Sequence, residues 1–295
     1  MQILKVHKEF RRYCTLEEQL RPRTVKAMKA NLMTFLKRTG IENLNEVNLE
    51  ILREFFYEGM EKYEWSYWTF MNYHKYLKKF LNWCVKNGHI SSNPILEIMK
   101  PKKPQSLPRR LSHEDAQKLL LETFNYEWRY EFERSRNYAL MAMLLYSGLR
   151  CGELTNLMFM DVNLETGNML IRSGKGNKDR NVPIHHKLKY ALKRYLSERK
   201  RLGKRSEYLF TGVQSNKPMG YKDVLRVCQK ISKSSSVYFT PHCLRHTFGS
   251  VAVEQGVGLA QLQAIMGHSN ITSTMIYVRM SSKGLKESLD KSELF

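Results

Sequence analysis

The sequence predicts a mainly α-helical protein with a small β-sheet, divided into two domains. Three observations lead to this fold class. The first hundred residues show helical periodicity and contain few glycines, a stretch rich in proline and cations follows, and two short strand-like runs interrupt an otherwise helical second part. We therefore expect a helical domain at 1–98, a linker at 99–110 and a mixed α+β domain at 111–295.

The first domain begins with amphipathic helices. Val25, Met28, Leu32 and Phe35 recur at helical spacing. Arg23 stands at the start of this segment, where a helix can begin after a proline. We expect Arg23 to contact DNA.

A longer helix is predicted between Ser66 and Lys86. One face carries the apolar residues Phe70, Tyr73, Leu77, Phe80, Leu81 and Cys84, and the opposite face carries Lys75, Lys79, Asn82 and Lys86. We expect Lys75 and Lys79 to contact phosphates. An aromatic cluster at the start of this helix could stack on bases, but aromatic residues at this spacing are more typical of a core, and we interpret them so: Trp65, Tyr67, Trp68, Phe70 and Tyr73.

The linker is extended and basic. Gly88 and the stretch 91–94 end the preceding helix, and residues 100–110 combine three prolines with five cations. Lys102 and Lys103 are expected to lie along DNA.

The charge of the chain indicates a polyanionic partner. Its 49 Lys and Arg against 28 Asp and Glu give a net charge of +21, shared almost equally by the two domains, as two lobes gripping a duplex would require. A solvated basic surface or an anionic membrane contact is the alternative. Because no segment reaches the ~20 apolar residues of a membrane span and no signal peptide is evident, we expect a cytoplasmic protein that associates with the nucleoid.

The second domain is predicted to open with a helix capped by Ser112, and Asn137 to Tyr146 indicates a buried helix that Gly148 ends. Arg150 follows at once, where a tight turn often directs a side chain into a site. Glu153 either pairs with this guanidinium or is an ordinary surface acid.

Two strand-like runs, 168–172 and 180–184, indicate a hairpin with a cationic tip. Lys175 stands between two glycines of the tip, where it could touch DNA or protonate a leaving oxygen, and Lys178 is the rival for that role. Met169 and Gly176 do not fit a nucleotide-binding P-loop, so ATP is not implied.

Further helices are predicted at 188–202 and 221–231, with a short strand at 208–210 between them. Thr240 and Pro241 then open a helix on which His242 and Arg245 share a face, so that both can reach one phosphate. His246 is assigned to a different face and a structural role.

The end of the sequence supplies a nucleophile. A helix ends at Gly267, His268 follows, and a helix that begins at Asn270 carries Tyr277. A phenol with a pKa of about 10 is a poor nucleophile at neutral pH, so Arg150, Arg245 and His268 are expected to lower the cost of forming the phenolate and to hold the charge of a phosphodiester in transfer. Neither a metal nor a cofactor is required, and five scattered cysteines without a Cys-x-x-Cys pair indicate neither a disulfide framework nor a zinc site.

These residues resemble the motifs of the tyrosine recombinases of the phage-integrase and Xer type. The matching segments, in order, are Ser147 to Arg150, Gly174 to Lys178, His242 to Phe248, Leu262 to His268, and Tyr277. The resemblance implies a SAM-like core-binding domain before the linker and the recombinase catalytic domain after it. It also implies a catalytic set composed of Arg150, Lys175, His242, Arg245, His268 and the nucleophile Tyr277.

The resemblance further implies the reaction and the assembly. Tyr277 would form a 3′-phosphotyrosyl link while Lys175 protonates the departing 5′-oxygen. Strand exchange would pass through a Holliday junction on a homotetramer that holds two double-stranded DNA sites. The apolar tail residues Leu285, Leu289, Leu294 and Phe295 would dock on a neighbouring protomer or fold back on their own domain.

Two alternatives remain at this point. A type IB topoisomerase shares the nucleophile chemistry but reseals the same strand, and a catalytically silent DNA-binding regulator could keep the fold. The target DNA sequence, the biological role and the need for accessory proteins are not encoded in recognisable motifs.

Overall fold

The structure is a computed structural model that describes residues 1–104, 107–172 and 179–280. The chain divides into two compact units, Met1–Gln105 and Ser106–Phe295. In the described residues the secondary structure is mainly helical with one small sheet, which confirms the predicted fold class.

The first unit contains four α-helices: α1 Ile3–Leu16, α2 Pro22–Thr39, α3 Leu49–Glu61 and α4 Tyr67–Lys86. The helices and strands described in the second unit are α5 His113–Asn125, α6 Glu131–Tyr146, α7 Cys151–Thr155, β1 Val162–Asn163, β2 Asn168–Ile171, β3 Arg180–Pro183, α8 His186–Arg201, α9 Tyr221–Ser235, α10 Pro241–Glu254, α11 Leu259–Met266 and α12 Thr272–Met280.

The faces predicted for α4 are present. Ser66 caps the helix by accepting the N–H of Thr69, and Phe70, Leu77 and Phe80 are buried in the core of the first unit. The interpretation of the whole aromatic cluster as core was wrong for Trp68, which is 62% exposed. Trp68 precedes Lys75 by seven residues, about two helical turns, so the geometry of α4 places it on the polar face.

The core of the second unit forms around α6. Residues from Phe132 to Leu145 are buried on nearly every side of this helix, which packs against α5, α8 and α10. The predicted cap at Ser112 is confirmed by its bond from the N–H of Asp115. Gly148 follows α6 with a left-handed φ of +62°, as its predicted role in ending the helix requires.

The sheet has the order β1-β2-β3 and is antiparallel throughout. Ile171 pairs with Arg180 at the end of the β2–β3 ladder, so the two predicted strands form the hairpin, each one residue shorter than expected. The tip, with Lys175 and Lys178, lies outside the described residues.

The strand predicted at 208–210 was wrong. Tyr208 forms a single bridge with Met158, and the N–H of Leu209 donates to the carbonyl of Leu157. Pairing stops there because the partner segment turns into a 3₁₀ helix, Phe159–Asp161, directly after the bridge. Within the described ranges, no helix is both long and apolar enough to cross a membrane.

Candidate active site

Arg150 occupies the N-cap position of α7, directly after the turn at Gly148. Its Nη1 donates to Oε1 of Glu153 at 2.8 Å, and its backbone N–H donates to Oε2 of the same carboxylate at 2.8 Å. Its Nη2 donates to the carbonyl of Gly267 at 3.0 Å. The side chain, 30% exposed, is therefore held at two points while part of it faces solvent.

Arg245 lies on α10 and is 2% exposed. Its Nη1 donates to the carbonyl of Gly148, and its Nη2 donates to the carbonyl of Met266 at 2.8 Å and to Nε2 of His268 at 2.8 Å. Three segments that are distant in sequence therefore converge on one guanidinium. Burial, and then the charge of Arg150, lower the pKa of Arg245 to about 10.

His268 connects Arg245 with the last described helix. Because Nε2 accepts from Arg245, Nδ1 carries the proton and donates to Oγ1 of Thr274 at 2.9 Å. Burial and the neighbouring arginines lower the pKa of His268 to about 4, which agrees with this neutral tautomer.

Tyr277 is buried, at 1% exposure, among Leu262, Met266 and the site histidines. Its ring stacks on His268 with the centroids 6.2 Å apart and the planes inclined by 13°. Gly249 on α10 makes room for it, since a Cβ there would lie 2.6 Å from Cζ of the phenol. The tyrosine thus occupies a pocket formed by α10, α11 and the His268 turn.

The ionisation of Tyr277 differs from the expectation. We predicted that nearby cations would lower the cost of the phenolate, but burial raises the pKa of Tyr277 although Arg245 and Arg150 act in the opposite direction. Desolvation outweighs the attraction of the two arginines because almost no surface of the phenol reaches water.

His242 and His246 are neighbours on α10, with ring centroids 4.4 Å apart. The assignment of His246 to a different face was wrong, because residues four apart on a helix lie one above the other. Its ring is also 5.7 Å from that of Tyr277, so His246 belongs to the site. Burial, the neighbour His242 and Arg245 lower the pKa of His246 to about 4, and burial followed by Arg245 and Arg150 lowers that of His242.

Of the six residues predicted to be catalytic, the structure brings together Arg150, Arg245, His268 and Tyr277. His242 is exposed at the edge of this group, and Lys175 lies outside the described residues.

Five of the six residues predicted to contact DNA lie in the first unit. Arg23, Lys75, Lys102 and Lys103 are exposed, and Nζ of Lys103 lies 5.8 Å from the centroid of the Trp68 ring. Lys79 forms an ion pair with Glu18. Lys178, like Lys175, is outside the described residues.

Sequence reasoning missed two residues of the site. Arg180, at the start of β3, binds Glu153 with both Nη atoms, and Thr274 fixes the tautomer of His268. Thr274 stands one helical turn before Tyr277, a spacing that could have indicated a contact at the same site. Nothing in the sequence near Arg180 pointed to Glu153, which is 27 residues away.

Comparison with known proteins agrees with this geometry. The model of the phage integrase family matches residues 109–283. Tyrosine recombinase XerA of Pyrococcus horikoshii is 34% identical over 200 residues, which cover 67% of this chain and 66% of that protein, just under two thirds of its length. Tyrosine recombinase XerC of Oceanobacillus iheyensis is 28% identical and is covered to 94% by an alignment that spans 96% of this chain.

Solved structures show the same fold. A crystal structure of XerA recombinase is 25% identical, with a TM-score of 0.56 and coverage of 98% of this chain and 99% of that one. The Tn1549 transposon integrase in complex with a circular intermediate DNA superposes with a TM-score of 0.77 at 22% identity and covers the same shares of both chains.

The fold and the convergence of two arginines, two histidines and a tyrosine define a tyrosine recombinase catalytic domain joined to a helical unit. The chain belongs to the phage integrase family.

The histidines of the site make stability dependent on pH. Because the pKa of His246 is lowered to about 4 from 6.5, the unfolded chain binds more protons between these pH values, and the free energy of unfolding falls as pH falls through this window. We expect the melting temperature to decrease between pH 7.5 and pH 5, and to decrease less in His246→Gln. His113→Gln, a change at an exposed histidine, is the control. Melting of the unmodified chain and of both variants is monitored by circular dichroism. Equal decreases in melting temperature in all three proteins would contradict the assignment of this pH dependence to His246.

Proposed function

We propose that the chain is a site-specific DNA recombinase, an integrase that cleaves and rejoins DNA strands through a 3′-phosphotyrosyl intermediate and a Holliday junction. The observation that carries the proposal is the contact of the Tyr277 ring with His268, which Arg245 in turn binds. Arg150 reaches the same turn through Gly267. The relatives named as tyrosine recombinases support the same activity.

The reaction follows from the chemistry of these groups. Oη of Tyr277 releases its proton to water and attacks the scissile phosphorus, the bond from phosphorus to the 5′-oxygen breaks, and the strand end whose 3′-oxygen carries the phosphate stays on the enzyme. The guanidinium groups of Arg150 and Arg245 neutralise the charge that builds up on the non-bridging oxygens. Lys175, with Lys178 as the rival, protonates the departing 5′-oxygen, and the reverse attack by a partner strand completes the exchange.

The described conformation precedes this step. Tyr277 is 1% exposed and its pKa is raised, while the Nη groups of Arg245 are occupied by carbonyls and His268. We infer that DNA binding opens the pocket of Tyr277, and that a phosphate oxygen then replaces part of the contacts made by Arg245. The phenol then meets the arginines without the cost of burial that opposes its ionisation here.

Double-stranded DNA is the proposed partner. The net charge of +21 favours a polyanion, and the exposed cations Arg23, Lys75, Lys102 and Lys103 are proposed to contact phosphates. Lys79 would contribute by exchanging Glu18 for a phosphate. Solved integrases with this fold are bound to DNA, as in the lambda integrase dimer on its core site, which shares 15% identity at a TM-score of 0.75.

Assembly is proposed to depend on the C-terminal tail. A cavity of about 680 Å³ in the second unit is lined by apolar residues of α5, α10 and α11, among them Ala116, Leu120 and Val251. The sequence after residue 280 carries four large apolar residues in 11 positions, Leu285, Leu289, Leu294 and Phe295. We propose that the tail of a neighbouring protomer fills this cavity in a homotetramer on two DNA sites.

The covalent step is tested with a DNA site nicked next to the scissile phosphate, which traps the intermediate. The unmodified chain should form a covalent adduct that Tyr277→Phe reduces by about 10³-fold or more, since phenylalanine lacks the oxygen that forms the phosphotyrosyl bond. Tyr190→Phe, a change at an exposed tyrosine of α8, is the control. An adduct that survives Tyr277→Phe would overturn the assignment of the nucleophile. No adduct from the unmodified chain would favour a catalytically silent regulator. Relaxation of supercoiled DNA without junctions between duplexes would favour a topoisomerase.

The proton donor is tested with a 5′-bridging phosphorothioate, because a sulfur leaving group needs no proton. Lys175→Ala should slow cleavage of ordinary DNA by about 10²-fold or more and should recover to within about tenfold on the sulfur substrate. Lys178→Ala is the matched change, and because it would remove only a DNA contact, any loss of rate should be the same on both substrates. Recovery confined to Lys178→Ala would identify Lys178 as the acid.

The cavity is tested by filling it. Ala116→Trp should reduce complexes that hold two DNA duplexes by about tenfold, because the new indole occupies the space of the tail, while binding of one DNA site stays within about twofold. Leu121→Trp introduces the same side chain on the exposed side of α5 and should have no effect. Mass photometry of the DNA complexes checks both, and equal assembly by the two variants would contradict docking in the cavity.

A further inference from the structure

A third arginine, Arg180, binds the carboxylate of Glu153. Nη1 and Nη2 of Arg180 donate to Oε1 and Oε2 of Glu153 at 3.0 and 2.9 Å, and Nε donates to the carbonyl of Ile265 at 2.7 Å. The side chains of Arg180 and Glu153 are 11% and 8% exposed. All three nitrogens of the guanidinium are therefore engaged, and the pair is shielded from water.

The contacts of Glu153 are divided evenly between two arginines. Oε1 accepts from Arg180 and from Nη1 of Arg150, and Oε2 accepts from Arg180 and from the backbone N–H of Arg150. A carboxylate offers about four acceptor positions, so these four bonds fill it. Its orientation is fixed, and with it the direction in which the Arg150 guanidinium points.

Arg180 also packs against the second support of Arg150. Gly267, whose carbonyl accepts from Arg150, has a left-handed φ of +64°, and a Cβ there would lie 2.9 Å from Cζ of Arg180. The flat guanidinium thus lies directly beside the turn. Arg180 thus bonds the carboxylate of Glu153 and packs against Gly267, the two residues that hold the Arg150 side chain.

The charges explain why this matters. Glu153 is 4.0 Å from Nη1 of Arg245 as well as bonded to Arg150. Burial opposes the ionisation of Glu153, but the hydrogen bonds and charges of Arg180 and Arg150 lower its pKa below the usual value, so it is an anion. Without Arg180, this anion would have only the two phosphate-binding arginines as partners and would cancel more of the positive potential that they present to DNA.

We propose that Arg180 is a positioning residue of the active site: by occupying Glu153, it aims Arg150 and keeps the positive charge of Arg150 and Arg245 available to the scissile phosphate. The inference rests on the proposed function.

The test measures single-turnover cleavage of the nicked DNA site by Arg180→Met. We expect the rate to fall about 10- to 100-fold with DNA affinity within about twofold, as for the loss of a group that orients a reacting side chain. A scissile methylphosphonate, which replaces a charged non-bridging oxygen by a methyl group, separates positioning from folding. Because that substrate needs less positive charge, the defect should shrink to about threefold or less.

Two further variants control for stability. Arg172→Met removes a guanidinium, just after β2, that pairs with both oxygens of buried Asp161 in the 3₁₀ helix before β1, and it should leave cleavage within about threefold of the unmodified rate. Arg180→Lys keeps the charge but cannot bond both oxygens in plane, so an intermediate rate is expected even if Arg180→Met folds poorly.

A double variant tests whether Arg180 acts through Glu153. In a Glu153→Gln background, Arg180→Met should slow cleavage by no more than about threefold. The inference is overturned if Arg180→Met cleaves at the unmodified rate, if its defect is the same on the methylphosphonate, or if the two changes are additive. Absence of any adduct from the unmodified chain would instead overturn the proposed function itself.

Discussion

The site depends on one buried guanidinium, that of Arg245. Burying an ion costs several kcal/mol unless its hydrogen bonds are replaced. Here the replacement comes from Gly148, just beyond α6, and from Met266, the last residue of α11. The carbonyl of Met266 is at the negative end of α11, where acceptors lack an intrahelical donor, and that of Gly148 lies in the turn that follows α6. One cation thus satisfies a helix end and a turn, and it draws the end of α6, α10 and α11 to a common point.

The second arginine is fixed by an anion instead. Arg150 shares Glu153 with Arg180, and the three guanidinium groups around one carboxylate leave a net positive charge at the site. This excess of positive charge favours an anionic ligand. A phosphodiester fits, because its negative charge is shared by two non-bridging oxygens that guanidinium groups can bind. Burial lowers the pKa values of His246 and His268, and the positive charge of Arg245 lowers both further.

The buried position of Tyr277, the proposed nucleophile, distinguishes the described conformation from the proposed reactive one. The pKa of Tyr277 is raised while the phenol is enclosed by α10, α11 and the His268 turn, so this enclosed pocket disfavours the phenolate. α12 is a short helix, and its contacts in the described structure are with α10 and α11. In the proposed mechanism this pocket holds the tyrosine near the arginines and keeps it unreactive until DNA supplies a competing ligand for them.

The sequence by itself determined the helical faces, the caps at Ser66 and Ser112, the β2–β3 hairpin and the residues from which the site is built, because these depend on local periodicity, turn chemistry and residue type. Only the tertiary structure decided which of them meet. His246 was misplaced because its neighbour one turn away was not weighed, and Trp68 because an aromatic residue was assumed to be buried. The role of Arg180 and the ionisation of Tyr277 depend on packing between segments 27 to more than 100 residues apart and on the exclusion of water, which no local pattern encodes.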